Sequence, residues 1–524
     1  MSQSSTSGDE ELDSTLSTSD EAEVMDDDLN SSVMNVLRYL LHGTQNVIGI
    51  RTRTDCDIES SDDSDDDSTY NTWGIRSRWH SRLPKAPEKP DTSVIDKSDF
   101  KQQTLYEAGE LNPLKKHLPN FSSVPGMLCM REIGCLSNQT NTSLGQRAAT
   151  ALSFLPTTYR PARLLKANEK FFCGVYNKQG DLFMSACQDC RIRIFDTSNN
   201  SWAKVKRIDC KDVGWSVLDV DFSHGGNHLV YASWSEYLHI CNIRGEQETH
   251  NALYLDADTR QRTGVFSVRF NADDSELVAG TNGGYIYIFS RELHKRTMKI
   301  DAHDDDLSSV CFADDSGNIL YSGGEDAVVK VWDRRCLREV APVPVGQLSG
   351  HHDSITHIDS RGDGRYLITN SKDQSIKLWD IRKFATSEGI EATKHAVSKQ
   401  DWDYRWQPYV GKVIKEKLAG DCSLMTYYGH SVMRTLIRCR FSPSFTTGQR
   451  YIYSGDGMGR VIIYDALSGK IIRSLKGYMD DGHRIGHEPD VIRDVSWHPY
   501  DNTIISSGWD CSVYKWERHI TEDL

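Results

Sequence analysis

Two stretches of the chain read Trp332-Asp333-Arg334-Arg335 and Trp379-Asp380-Ile381-Arg382. Each places a carboxylate and a guanidinium two residues apart behind a tryptophan. A guanidinium is a planar fork of five N–H donors matched to carboxylate and carbonyl oxygens, so an arginine fixed at the edge of a rigid element can grip another protein. A single arginine of this kind reads more simply as satisfied within its own turn. Recurrence of the same spacing 47 residues on makes docking an equal reading. Other residues offer covalent or metal chemistry. His351, Ser371, Asp373 and Trp379, and likewise His303, Ser322, Asp326 and Trp332, contain the types of a Ser-His-Asp nucleophile. Ser506, Asp510 and Trp516, with His487, repeat the set. An active site occurs once in a chain, whereas this set recurs, so it reads as internal hydrogen bonding of a repeated unit. Cys187 and Cys190 form one C-x-x-C with no second pair, short of the four ligands of structural zinc. His483 and His487 have helical ligand spacing but stand in a Gly-containing loop. No glycine-rich phosphate loop follows a strand. The expectation is therefore no catalytic residue, no cofactor and no metal.

The elements that position these residues repeat. From about residue 170 the pattern is strand, turn, strand, small residues, tight turn, then an alternating strand ending in an aromatic or apolar residue and a polar one. The endings are Phe195-Asp196, Cys241-Asn242, Phe289-Ser290, Trp332-Asp333, Trp379-Asp380, Tyr464-Asp465 and Trp516-Glu517, at intervals of 46, 48, 43, 47, 85 and 52. This period and ending are the signature of WD repeats, and seven endings predict an all-β, seven-bladed β-propeller over 170–518. Residues 383–427, inside the interval of 85, lack alternation and read as an insertion between blades five and six. Only eight residues follow Trp516. The last blade therefore needs an outer strand from the segment 121–169, expected within 145–167 where Ala151, Leu152, Phe154 and Leu155 are apolar. Residues 519–524 form a short tail.

In such a propeller the tight turn before the third strand opens on one face, called the top, and the strand's end emerges at the bottom. The top-turn positions are Gln188, Trp234, Asn282, Glu325, Lys372, Gly457 and Trp509, and Trp215 stands near Trp234. Aromatic side chains on a rim anchor partners unless they pack on neighbouring loops. Trp215, Trp234 and Trp509 are thus candidate anchors on the top of blades seven, one and two. Both Arg-bearing boxes fall at the bottom.

Residues 1–120 differ in kind. Residues 1–67 hold 18 acidic and three basic residues, a net charge of −15, against −14 for the whole chain. The Ser/Asp/Glu-rich stretches cannot bury enough apolar area to offset chain entropy and read as disordered. Val33, Val36, Leu37, Leu40 and Leu41 make one short amphipathic helix over 32–42, and a second helix is expected around 97–109. Ser60, Ser61 and Ser64 stand before acids, the pattern of acid-directed phosphorylation, although plain solubilising disorder explains the composition as well. The rest of the chain is nearly neutral, with no basic footprint for nucleic acid. No apolar run is long enough for a bilayer, and the N-terminus lacks the form of a secretory signal. Nucleus and cytoplasm are the expected locations, with reduced cysteines.

The doubled Trp-Asp-x-Arg box resembles that of the WD-repeat substrate receptors of cullin-4 RING ubiquitin ligases. The segments DVGWSVLDV (212–220), HICNI (239–243), NSKDQSIKLWDIR (370–382), DWDYRW (401–406), LIRCRFSP (436–443) and IRDVSWHP (492–499) carry the same likeness over roughly residues 125–518. The resemblance implies that Asp333, Arg335, Asp380 and Arg382 contact the adapter, damage-specific DNA-binding protein 1. It also implies an assembly with cullin-4 and a RING subunit, protein substrates held for ubiquitination, and no chemistry in this chain. The helix at 32–42 is similar in kind to N-terminal helices that such receptors insert into the adapter. A scaffold or reader in RNA-processing or chromatin assemblies would share the fold. The paired arginine box separates the two, being expected in the first and accidental in the second.

Overall fold

The computed structural model describes residues 86–108, 155–156, 161–199, 201–245, 248–255, 263–407, 417–476 and 491–518. The helix expected at 32–42, Ser60, Ser61, Ser64, His483, His487, and Ala151, Leu152 and Phe154 lie outside them. Seven four-stranded antiparallel sheets form the blades of a propeller. Their first strands contact one another in ring order around a central channel. Alternation drives this: along Val329-Lys330-Val331-Trp332 the apolar residues are buried and Lys330 is half-exposed. The apolar clusters straddle neighbouring blades, so no blade buries its faces alone.

The last blade comprises Ile492–Trp497, Ile504–Gly508 and Ser512–Trp516, and its outer strand is Ala162–Lys166. Ala162 pairs with Lys515 and Lys166 with Ser512, so the two ends of the ring are laced by backbone hydrogen bonds. Leu155 is buried with the core between blades six and seven.

Blade five corrects the expectation of an insertion between blades at 383–427. Its first three strands are Ile355–Ser360, Tyr366–Ser371 and Ser375–Asp380, and its outer strand is Met425–Tyr428, with Leu378 facing Met425 and Ser375 facing Tyr428. The extra chain therefore lies within blade five, between its third and outer strands. Met425 and Tyr427 are buried while Thr426 and Tyr428 are half-exposed, an alternation too short to stand out after a long non-repeating stretch. Helix α2 (Ser387–Ser398) opens the insertion, and the Thr386 side chain accepts from the Gly389 N–H at its start. Residues 400–406 then cross the top of the blade. Gln400 donates to the His352 carbonyl, Trp402 Nε1 to Asp353 Oδ2, and the Tyr404 ring lies 4.3 Å from Lys372 Nζ.

Charged side chains close the channel across its diameter. Arg438, beside blade six, bonds Asp219 of blade two at 2.8 Å and Asp494 of blade seven at 3.1 Å. Arg269 of blade three bonds Asp219 at 2.5 Å, and Arg440 bonds Asp494 at 3.1 Å. The carboxylates also accept backbone N–H groups of the next blade, Asp219 from Val268, Asp494 from Gly174, Asp221 from Phe270 and Asp359 from Phe441. Among the described residues, no helix is long and apolar enough to cross a membrane.

Candidate functional site

At the bottom of blade four the chain turns immediately after its third strand. Asp333 Oδ1 accepts the Arg335 N–H at 3.0 Å, the turn that aspartate side chains favour. The same carboxylate receives Arg335 Nε at 2.9 Å and Nη2 at 2.6 Å, so the guanidinium folds back onto it in a two-point fork. Blade five repeats the construction. Asp380 Oδ1 accepts the Arg382 N–H at 3.1 Å, and Asp380 receives Nε at 3.2 Å and Nη2 at 3.0 Å. Both arginines stay outside, with side chains 67% and 55% exposed. The environments of the two carboxylates differ. Arg335, through its side chain and then its backbone N–H, holds Asp333 at about 2. Asp380 is buried, and burial raises its pKa against the pull of Arg365.

The same turn occurs in two other blades. Asp196 accepts the Ser198 N–H at 2.8 Å in blade one, and Asp465 accepts the Leu467 N–H at 3.3 Å in blade six. The turn therefore forms with serine or leucine in the arginine's place. Among the described bottom turns, only those of the adjacent blades four and five carry the exposed fork; the same Asp-x-Arg fork also forms on the insertion at Asp403–Arg405, with the Arg405 side chain 55% exposed.

A helix from the N-terminal region packs on this face. Helix α1 (Asp99–Glu107) buries Phe100 edge-on against Tyr366, 4.9 Å between ring centres, with the Arg361 guanidinium 4.8 Å from the Phe100 ring. Arg361 Nη2 bonds Glu107 Oε2 at 2.6 Å. Gly448 has φ +61°, and a Cβ there would lie 2.5 Å from the Glu107 carbonyl carbon, so the helix end rests directly on backbone. Asp99 Oδ2 lies 2.9 Å from Arg365 Nη2 and 3.1 Å from Arg382 Nη2. Neither Asp99 nor Arg365 carries a motif that would mark it in the sequence. Their role depends on where α1 lands.

On the top face the three candidate tryptophans differ. Trp215 is 45% exposed and stands edge-on to Phe172 at 5.2 Å. Trp509 is half-buried, 5.7 Å from Phe172 and 4.3 Å from Lys170 Nζ. Trp234 is half-buried against Phe266, and its ring lies so near Gly264 that a Cβ there would come within 2.5 Å. Trp406, from the insertion, is also strongly exposed.

The recurrent His-Ser-Asp sets are buried struts. In blade four His303 pairs with Asp326 and with Ser322, each at 2.8 Å, and Trp332 Nε1 donates to Ser322 Oγ at 2.8 Å. With its proton turned to the imidazole and a lone pair taken by the indole, this hydroxyl has no exposed edge for a substrate. In blade seven Trp516 Nε1 donates to Ser506 at 2.8 Å. Blade five corrects the set read from the sequence. His351 meets Asp373 at 2.8 Å and Thr369 Oγ1 at 2.6 Å, and Trp379 Nε1 donates to Thr369, not to Ser371. Ser371 instead donates to the Asp353 carbonyl at 2.7 Å. The hydroxyl stands ten residues before the tryptophan in all three blades, the register that would have found Thr369. In the C-x-x-C, Cys187 is buried and donates to the Glu169 carbonyl, burial pushing its thiol up to about 12. Cys190 sits in the turn with φ 57°.

The WD domain, G-beta repeat family matches residues 294–333, 342–380 and 479–517. The chain is 39% identical over 379 residues to the DDB1- and CUL4-associated factor 11 homolog of Caenorhabditis elegans, which covers 70% of this chain and 64% of that protein. It is 36% identical to the homolog of the same name from Caenorhabditis briggsae, over 71% of this chain and 67% of that protein. It is 38% identical to the LEC14B protein of Lithospermum erythrorhizon, over 68% of this chain and 74% of that protein. The chain thus spans just under two thirds of the length of the first of these relatives and somewhat more of the other two. With its seven blades and these matches, the chain belongs to the WD-repeat family that contains the DDB1- and CUL4-associated factor 11 homologs and the LEC14B proteins.

Proposed function

We propose that the chain is the substrate-recognition subunit of a cullin-4 RING ubiquitin ligase, docking damage-specific DNA-binding protein 1 through the forks of Asp333–Arg335 and Asp380–Arg382. The observation that carries this reading is that, among the described residues, the bottom turn recurs in four blades yet bears an exposed arginine only in two adjacent ones. The turn forms without those guanidiniums, and they are presented to solvent at one edge. The names of the nematode relatives point the same way. So does the likeness of the quoted segments to WD-repeat protein 23, a receptor of this class. No residue of this chain performs chemistry in the scheme. The bottom holds the adapter, the top over blades seven, one and two holds a protein substrate with Trp215 as its open anchor, and the gain is local concentration near the ubiquitin-carrying enzyme. The nucleus and cytoplasm are where we place this activity. The test is gel filtration of the purified chain with the purified adapter. The wild-type chain should co-elute with it, and a double Arg335→Ala, Arg382→Ala chain should elute apart. Full co-elution of the double variant would remove the forks from the interface.

A further inference from the structure

The two boxes are alike in sequence but unlike in constraint. Among the described residues, Arg335 is held only by Asp333, which takes its Nε–H and one Nη2 proton and leaves three N–H groups turned outward. Arg382 is held from two sides. Asp380 takes Nε and Nη2, and Asp99 takes Nη2 at 3.1 Å, leaving the Nη1 edge outward. Asp99 is itself fixed, because it also accepts from Arg365 Nη2 at 2.9 Å, and Arg365 in turn bonds Asp380 at 3.2 Å. Two carboxylates and two guanidiniums thus close a ring. Behind them α1 is seated by its buried Phe100 and by the Arg361–Glu107 pair, with Ile95 of the preceding turn buried in the same core.

We propose that Asp99 is a positioning residue that fixes Arg382 in its docking orientation, making the blade-five box a composite of α1, the Arg365 loop and the end of the third strand. This rests on the reading that the forks meet the adapter. A long arginine side chain loses rotamer freedom when a partner immobilises it. Asp99 removes part of that freedom before binding and aims the Nη1 edge at the partner's carboxylate or carbonyl. Among the described residues, Arg335 has no such strut. Asp99 acts only through Arg382, so its effect on binding must vanish when Arg382 is gone and persist when Arg335 is gone.

That coupling is the test. Equilibrium titration with the purified adapter compares Asp99→Ala and Asp99→Glu in the wild-type, Arg382→Ala and Arg335→Ala backgrounds. Asp99→Ala should weaken binding about two- to fivefold, the range of an exposed ion pair. Asp99→Glu should restore most of the loss. The effect should persist in Arg335→Ala and disappear in Arg382→Ala. A merely structural role for Asp99 would lower affinity equally in both backgrounds, and that result would overturn the proposal, as would an unchanged affinity of Asp99→Ala in the wild-type chain. If Arg382→Ala and Arg335→Ala alone left affinity unchanged, the docking reading would fall, and this proposal with it. If they weakened binding while Asp99→Ala did not, only the positioning role would fall.

Discussion

Thr369 serves two buried donors and acceptors at once, the His351 ring and the Trp379 indole, inside a blade where neither can reach water. Thr369→Val keeps the shape and removes the oxygen. It should cost about 2–4 kcal/mol in urea unfolding, because two polar groups are left without partners. An effect under about half a kcal/mol would mean that the strut is dispensable. At this scale most of the design was legible. Trp332 with Ser322, and Trp516 with Ser506, follow from residue type and a fixed register. Thr369 was not found because Ser371 lies two residues away on the same strand and offers the same chemistry. The ten-residue register of the other two blades and the pairing of Leu367 with Trp379 show which hydroxyl lies under the indole. The Asp–Arg spacing of the forks was equally readable. The carboxylate's double duty, capping a turn while holding the guanidinium, depends on the folded turn and is not encoded in the spacing.

At the scale of elements, the strands declare themselves through alternation and repeated endings, while the attachments do not. Helix α1 has few apolar residues, and its binding depends on Phe100 meeting Tyr366, which lies far along the chain. No local pattern encodes such a contact. The outer strand of blade five was hidden for a related reason: four residues of alternation follow more than forty residues without any. Phe100→Ala should free α1 locally and spare the blades. Hydrogen exchange should then lose protection at Thr104 and Ala108 while the strands of blades five and six keep theirs. Equal loss in those strands would show that α1 is part of the cooperative core. On the top face, Trp215 is the open ring, whereas Trp234 and Trp509 are partly spent on Phe266 and Phe172. Trp215→Ala should weaken substrate binding by about tenfold with little change in stability, and Trp234→Ala should lower stability first. The reverse order, measured by substrate pull-down and thermal melting, would move the anchor.

For the whole molecule, rigidity comes from closure at two radii. The outer strand Ala162–Lys166 laces the rim, and the Arg438–Asp219–Arg269 and Arg440–Asp494 pairs tie the channel wall. The channel gives the stability a pH dependence of mixed sign. Burial raises Asp221 and Asp359, both half-buried, to about 6. The folded state therefore holds their protons more tightly than the unfolded chain, and their contribution is lost as pH rises from about 4 through 6. Asp219 behaves oppositely. Burial would raise it, but Arg269 and Arg438 hold it at about 2, so its contribution is lost as pH falls below about 4. Asp221→Asn should flatten the decline between pH 4 and 6 in denaturant titrations, and an unchanged slope would exclude Asp221 as its source. A ring closed in this way can present two independent faces, and the lower one bears the two forks. The most direct measurement is the dissociation constant of the purified adapter for the wild-type chain, Arg335→Ala, Arg382→Ala and the double variant. Each single change should weaken binding about tenfold and the pair about a hundredfold, with unchanged melting temperatures. A double variant that binds within twofold of the wild-type chain would contradict docking through the forks.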